Sequence, residues 1–271
     1  MKKTIITPHN SFFNLNYKEI YNYRDLLWSL AWKDLRVKYA QTFIGFLWAL
    51  INPLFTLLIL TFVFGIVVDV NTGDTPHLLF TIVGLCGWTY FSTLLTEAGN
   101  SIVSHQNMIQ KIYFPRLVLP LSKAITGLID LGVTLMLVLL LMMVYGFTPS
   151  VNIIYLPLFI ILAVLSGLAG GIWVSALSVR YRDFRFVSQF IVRLGLYATP
   201  VAYASTSVPE GYRLIFNLNP LVGIVEGFRW SILGTPPYLD GLYISIVIVF
   251  ILLISGIIYF HKIEKIMADI I

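Results

Sequence analysis

The chain has 271 residues, 58% of them Ala, Val, Ile, Leu, Met, Phe, Trp, Tyr or Cys and only 11% charged, where a soluble domain carries roughly 25% charged residues. A water-soluble fold of this size cannot hide that much apolar surface, so the composition predicts an all-α protein embedded in lipid. The net charge of +5 fits the Lys and Arg bias of cytoplasmic membrane loops and does not require a nucleic-acid partner, and Cys86, the single cysteine, excludes an internal disulfide.

Residues 1–17 form a polar tail. Lys2 and Lys3 look like the start of a secretory leader, but Thr4 to Asn16 is too polar and holds Pro8, so no signal peptide is predicted. Residues 18–39 read as an amphipathic helix lying in the membrane surface. Tyr21, Trp28, Trp32, Leu35 and Tyr39 share one stripe, with Lys33, Arg36 and Lys38 placed to reach headgroups. A helix packed on a soluble partner would give the same stripe; two tryptophans suit an interface.

A hydrocarbon core of about 30 Å needs about 20 apolar residues per helix, and six such spans are predicted within a transmembrane domain at 40–262. Those at 43–68, 78–96, 153–179 and 242–260 are uninterrupted by charge. The span at 120–145 contains Lys123 and Asp130, and that at 186–204 carries Arg193. With six spans, 16 of the 18 Lys and Arg fall on the face that holds both termini, leaving only Arg213 and Arg229 opposite. This sorting predicts cytoplasmic termini, with 263–271 as a short cytoplasmic tail. Between spans five and six, residues 205–240 are semi-apolar but broken by Pro209, Pro220, Pro236 and Pro237. Two short pieces, 212–217 and 221–233, fit outer re-entrant helices that dip into the leaflet and return.

Charges inside a span call for a functional reading. At 1.5 Å rise per residue, Asp130 lies roughly 10 Å beyond Lys123 and Arg193 roughly 12 Å beyond Arg185. The two reach similar depth, so Asp130 and Arg193 are expected to pair, within the chain or between subunits, unless each snorkels or lines water separately. Gly167 and Gly171 form a GxxxG with Gly170 beside it, read as a close helix contact or, alternatively, a hinge. Cys86, between Gly84 and Gly87, reads as a small buried residue.

Several chemistries leave no trace. No GxxxxGK[ST] occurs, nor any Gly-Lys dipeptide, so this chain carries no P-loop of its own. His9, His77, His105 and His261 are scattered without metal-ligand spacing, and no GxSxG elbow is present. No metal, cofactor or catalytic residue is predicted.

The stretch KYAQTFIGFLWALINPL, Lys38 to Leu54, resembles the opening of the first span in type-2 ABC export permeases, especially those that export polysaccharides: Lys38 and Tyr39, then Thr42, Gly45, Trp48 and Pro53. Arg182 and Asp183 resemble that family's turn between spans four and five. YATPVAY, Tyr197 to Tyr203, resembles its Thr-Pro signature, and LNPLVGIVEGFRWSILG, Leu218 to Gly234, its Asn-Pro and Arg pattern. The similarity runs from about residue 20 to 265. It implies a permease that dimerises, binds two copies of a separate ATPase carrying ATP and Mg, and exports lipid-linked O-antigen, capsule or teichoic acid chains. It also implies a coupling helix at about 100–113 that docks on the ATPase, with Ser104, His105, Gln106, Asn107, Met108 and Lys111 as contacts.

Sugar rings stack their C–H faces on aromatic planes. Tyr39, Phe43 and Phe46, then Trp88, Tyr90 and Phe91, then Tyr197, Tyr203, Phe216 and Trp230 are therefore candidates to line or gate a glycan path, although aromatics near span ends also serve as interfacial belts. The resulting expectation is an inner-membrane permease subunit for lipid-linked, O-antigen-like polysaccharide. Other cargoes of the same class are teichoic acid, capsule, lipid or drug. A secondary carrier would show inverted repeats and midplane ion sites, and a membrane enzyme acting on lipid-linked sugars would cluster acids at one interface; neither pattern is found.

Overall fold

The computed structural model describes residues 17–40, 47–265 and 267. All regular elements among them are helical: α1 (Tyr17–Asn22), α2 (Arg24–Ala40), α3 (Leu47–Leu60), α4 (His77–Ser104), α5 (Gln106–Ile109), α6 (Val118–Tyr145), α7 (Leu156–Arg180), α8 (Phe184–Ala198), α9 (Arg213–Asn217), α10 (Leu221–Leu233) and α11 (Leu239–Glu264). α3 runs on into a π-helical stretch, Thr61–Val67. Five of these helices, with that extension and the turn before α7 counted in, are long and apolar enough to cross a bilayer.

α4 is the central helix, with α3, α6, α7, α8 and α10 packed around it. Its seam with α7 is made of small residues. A Cβ on Gly167 would stand 2.7 Å from Leu94 Cδ2, and one on Gly171 would stand 2.6 Å from Ala98 Cβ. No side chain fits there, so the GxxxG serves backbone approach. α6 and α10 each stop at a left-handed glycine, Gly146 (φ 64°) and Gly234 (φ 74°), a conformation that a Cβ disfavours.

The surface segment 18–39 is two helices, and Trp28 and Trp32 stay 62% and 65% exposed while Leu30 and Ala31 are buried. α2 lies along α6. The Tyr113 hydroxyl donates to Glu19 at 3.2 Å, and the Arg116 amide donates to Glu264 at 3.0 Å. Thus α1, the α4–α6 junction and the end of α11 share one end of the molecule, which also carries Lys111, Arg180 and Arg182 and is here named the basic end.

The expected fifth span departs from a continuous helix. α8 has 15 residues, about 22 Å at 1.5 Å per residue, short of the roughly 30 Å that a bilayer requires. Since α7 ends at the basic end and α11 starts at the opposite one, the passage between them is completed by non-helical backbone after Ala198 and by α9 and α10. The latter two match the expected short pieces at 212–217 and 221–233. The expected helix at 100–113 is also divided: residues 100–104 are the last turn of α4, His105 breaks it at φ −115°, and α5 adds a single turn.

Candidate functional site

A cavity of about 450 Å³ opens between α3, α4 and α8. α4 supplies Trp88, Thr89 and Ser92, α8 supplies Arg193 and Tyr197, and α3 adds Thr56. The i, i+4 spacing sets Trp88 and Ser92 on one face of α4 and Arg193 and Tyr197 on one face of α8. Gly195 lets the two helices meet, because a Cβ there would lie 2.6 Å from Trp88 Cη2. The surface is therefore mixed: hydroxyls, one guanidinium and two aromatic faces.

The other predicted aromatics separate by location. Tyr90 points away from the cavity into the α4–α6 contact, where its buried hydroxyl donates to the Ala124 carbonyl at 3.0 Å. Phe91 is buried beside Trp88, ring centroids 6.0 Å apart. Trp230 stacks on Tyr155 at 5.2 Å and meets Phe159 edge-on. Tyr90 and Phe91 belong to the buried core, and Trp230, partly buried, packs against it where α10 lies on α7. Tyr203 sits between Phe64 and Phe216, at 6.3 and 6.4 Å, and donates its hydroxyl to the Tyr197 carbonyl. Phe43 and Phe46 lie outside the described residues.

Asp130 and Arg193 do not pair within the chain. Asp130 accepts from Lys38 at 2.6 Å and from the Tyr39 hydroxyl, and Glu97 stands 3.4 Å from the same ammonium. About two turns earlier on α6, Lys123 meets Asp34 at 2.5 Å. The two ion pairs run with opposite polarity and fasten α2 to α6 in one register. α8 packs on α4 and α7, which leaves Arg193 on the far side of α4 from Asp130. Burial works to lower the Lys38 ammonium pKa, but Glu97 and Asp130 outweigh it and hold it above its ordinary value. The Tyr39 phenol is raised by burial and by its bond to Asp130.

A second charged cluster lies at the opposite end. Arg229 is fully buried and Glu226 nearly so. The guanidinium donates to the carbonyls of Val201 at 2.6 Å, Tyr203 at 3.2 Å and Phe80 at 3.4 Å, and to Glu226 at 3.2 Å. It also lies 3.6 Å from the Phe80 ring centroid. Glu226 accepts from the Ser205 amide and hydroxyl, and Asn219 donates to Ala198 O and Thr199 Oγ1. Irregular backbone at membrane depth must find partners within the protein, and these side chains supply them for residues 198–205.

At the basic end, Ser104, Gln106, Asn107 and Lys111 are exposed, while His105 and Met108 are half-buried and Ile109 and Phe114 anchor the turn. The His105 ring sits 2.9 Å from the Ser101 carbonyl. Burial lowers its pKa, and nearby Lys123 and Lys33 add to that effect against Ser101 and Asp34. Tyr113 is held from both sides, its carbonyl accepting from Tyr23 and its hydroxyl donating to Glu19. Among the described residues no three His, Cys, Asp or Glu side chains gather as a metal site needs.

Residues 25–233 match the family described as ABC-2 type transporter. The chain belongs to this ABC-2 transporter membrane family. It is 34% identical over 250 residues to the O-antigen export system permease protein RfbA of Klebsiella pneumoniae, covering 91% of this chain and 95% of that one. It is 33% identical over 214 residues to RfbA of Myxococcus xanthus, covering 78% and 82%. At 23% identity over 217 residues it also matches the polysialic acid transport protein KpsM of Escherichia coli, covering 78% and 82%.

The matched region of this ABC-2 chain spans α2 to α10, so it takes in the cavity, the α2–α6 ion pairs and the Arg229 cluster. Counting Arg229 only as a charge on the face opposite the termini misses its burial beside Glu226. Two signals pointed to it: their i, i+3 spacing, and the presence of a helix-breaking Thr-Pro stretch with unpaired carbonyls to satisfy.

Proposed function

We propose that this chain is the membrane-spanning permease subunit of an ATP-driven exporter that moves lipid-linked, O-antigen-like polysaccharide across the cytoplasmic membrane. The observation that carries it is the identity of about one third to two O-antigen export permeases over most of both chains. A path face of hydroxyls and aromatic planes, as in the α3–α4–α8 cavity, supports the same reading. Such a surface stacks sugar rings and meets their hydroxyls without an enclosed apolar pocket that would retain them. Similarity to the polysialic acid transport protein KpsM favours an acidic polysaccharide as the second cargo class.

In this reading the basic end faces the cytoplasm, in line with the sorting of Lys and Arg expected from the sequence. Both termini are then cytoplasmic. Two copies of the chain enclose the path, and two copies of a separate ATPase bind the exposed 104–111 turn and supply the ATP and Mg chemistry. Closure of the ATPases pushes that turn, α4 transmits the displacement, and the α9–α10 segment gates the outer mouth. A switch of this kind needs contacts that differ between two states.

Deleting the gene in its native host tests the proposal. The expected result is loss of surface polymer with accumulation of lipid-linked glycan on the cytoplasmic side, restored by the wild-type gene. Unchanged surface polymer would overturn it.

A further inference from the structure

Arg193 is the charged group that the transmembrane architecture leaves unexplained. Its expected partner, Asp130, is taken by Lys38 at 2.6 Å and by Tyr39, and among the described residues Arg193 makes no ion pair. It is exposed on α8 and borders the cavity shared with α3 and α4. A guanidinium is always charged and is costly at membrane depth, and such groups mark ligand pathways. Two further features agree. On α8, Arg185, Gln189 and Arg193 follow one another at four-residue steps, a polar line that starts at the basic end and leads to the cavity. Across from Arg193, Thr89 and Ser92 bring hydroxyls to the same cavity; the Ser92 hydroxyl donates to the Thr89 carbonyl at 3.1 Å and turns from that bond to donate to a ligand.

We propose that Arg193, with Thr89 and Ser92, forms an oxyanion-binding subsite for a phosphate group of the transported molecule. The planar guanidinium offers two parallel N–H donors that match phosphate oxygens, and the low local dielectric strengthens that contact. Trp88 and Tyr197 flank the site and stack whatever the phosphate carries. The phosphate has two chemical sources, a phosphate or diphosphate joining the glycan to its lipid carrier or a phosphate on the sugar chain. This inference rests on the export reading for the identity of the cargo, but binding itself needs neither ATPase nor glycan.

The experiment measures binding to the purified full chain in phosphate-free dodecyl maltoside, with farnesyl diphosphate, farnesol and glucose 1-phosphate as probes. Arg193→Gln and Arg193→Lys are compared with wild type, and thermal unfolding is followed in parallel for each. Farnesyl diphosphate is expected to bind at least tenfold tighter than farnesol and to lose at least tenfold in Arg193→Gln, with Arg193→Lys in between. An Arg193-dependent response to glucose 1-phosphate alone assigns the site to the sugar chain and supports the subsite equally. If Arg193→Gln remains folded and binds both phosphates as wild type does, or if farnesol binds as tightly as its diphosphate and glucose 1-phosphate gives no Arg193-dependent response, the proposal is overturned. Unchanged surface polymer on deletion of the gene, with Arg193-dependent phosphate binding intact in the purified chain, would count against the polysaccharide reading and leave this site standing.

Discussion

Arg229 on α10 donates to the carbonyl of Val201 at 2.6 Å, and this contact holds together the part of the fold where the backbone is least regular. Residues 199–204 have left the helix while remaining buried or partly buried, and their carbonyls need donors. One arginine reaches two of them, those of Val201 and Tyr203, as well as the Phe80 carbonyl of α4, while Glu226 balances its charge at 3.2 Å and accepts from Ser205. Gly84 completes the fit, since a Cβ there would stand 2.7 Å from Val201 O and 2.8 Å from Arg229 Nη2.

Replacing Arg229 by Ala strands Glu226 and several carbonyls together. Breaking a buried pair from one side costs about 3–5 kcal/mol, so Arg229→Ala is expected to lower the detergent melting temperature sharply and to reduce membrane yield. Gly84→Val should reproduce the loss through sterics alone. Thermal unfolding monitored by tryptophan fluorescence checks both; a wild-type transition in Arg229→Ala would show that the cluster does not support the fold.

The cavity geometry predicts a labelling pattern. Cys86 is buried, so the native chain gives no background with a polar maleimide. Single cysteines at Thr89 and Tyr197 are expected to label readily in the purified protein, whereas Tyr90→Cys and Phe91→Cys should label at least tenfold more slowly. Equal rates at the four positions would contradict the assignment of Tyr90 and Phe91 to the core.

The α2–α6 ion pairs predict a charge-swap result. Asp130→Lys places two cations together and should lose expression, and Lys38→Asp combined with Asp130→Lys should recover part of it. Arg193→Asp with Asp130→Lys should not. Recovery by the Arg193 pair instead would mean that Asp130 serves an intersubunit contact.

His105 gives a pH signature. Its pKa is lowered in the folded protein, so over the interval below the ordinary value of about 6.5 the unfolded turn binds more protons than the folded one. Local stability is therefore full at neutral pH and falls on acidification. Hydrogen exchange of residues 104–113 should speed up between pH 7 and pH 5, and His105→Asn should remove that dependence. A pH-independent turn in the wild type, after correction for intrinsic exchange, would contradict the role of His105.

Much of this fold was legible because lipid imposes long apolar runs, and the helices near 78–104, 118–145, 156–180 and 239–264 follow from that demand. The pieces at 212–217 and 221–233 were marked by proline and glycine. What periodicity could not supply was pairing across the chain. Lys38 and Asp130 are 92 residues apart, and depth along a helix axis says nothing about which helices are neighbours, so Asp130 was matched to Arg193. The same gap put Tyr90, Phe91 and Trp230 among path residues: Tyr90 and Phe91 are buried where α4 meets its neighbours, and Trp230 on α10 packs on Tyr155 and Phe159. α8 was read as a full span because the Thr-Pro stretch is apolar although not helical.

The most direct test is translocation by the purified complex. The permease, co-purified with its ATPase and reconstituted with lipid-linked glycan in proteoliposomes, is expected to move the glycan to the opposite leaflet only when hydrolysable ATP is present on the ATPase side. Glycan that stays in its original leaflet despite vigorous ATP hydrolysis by a stable complex would contradict the account.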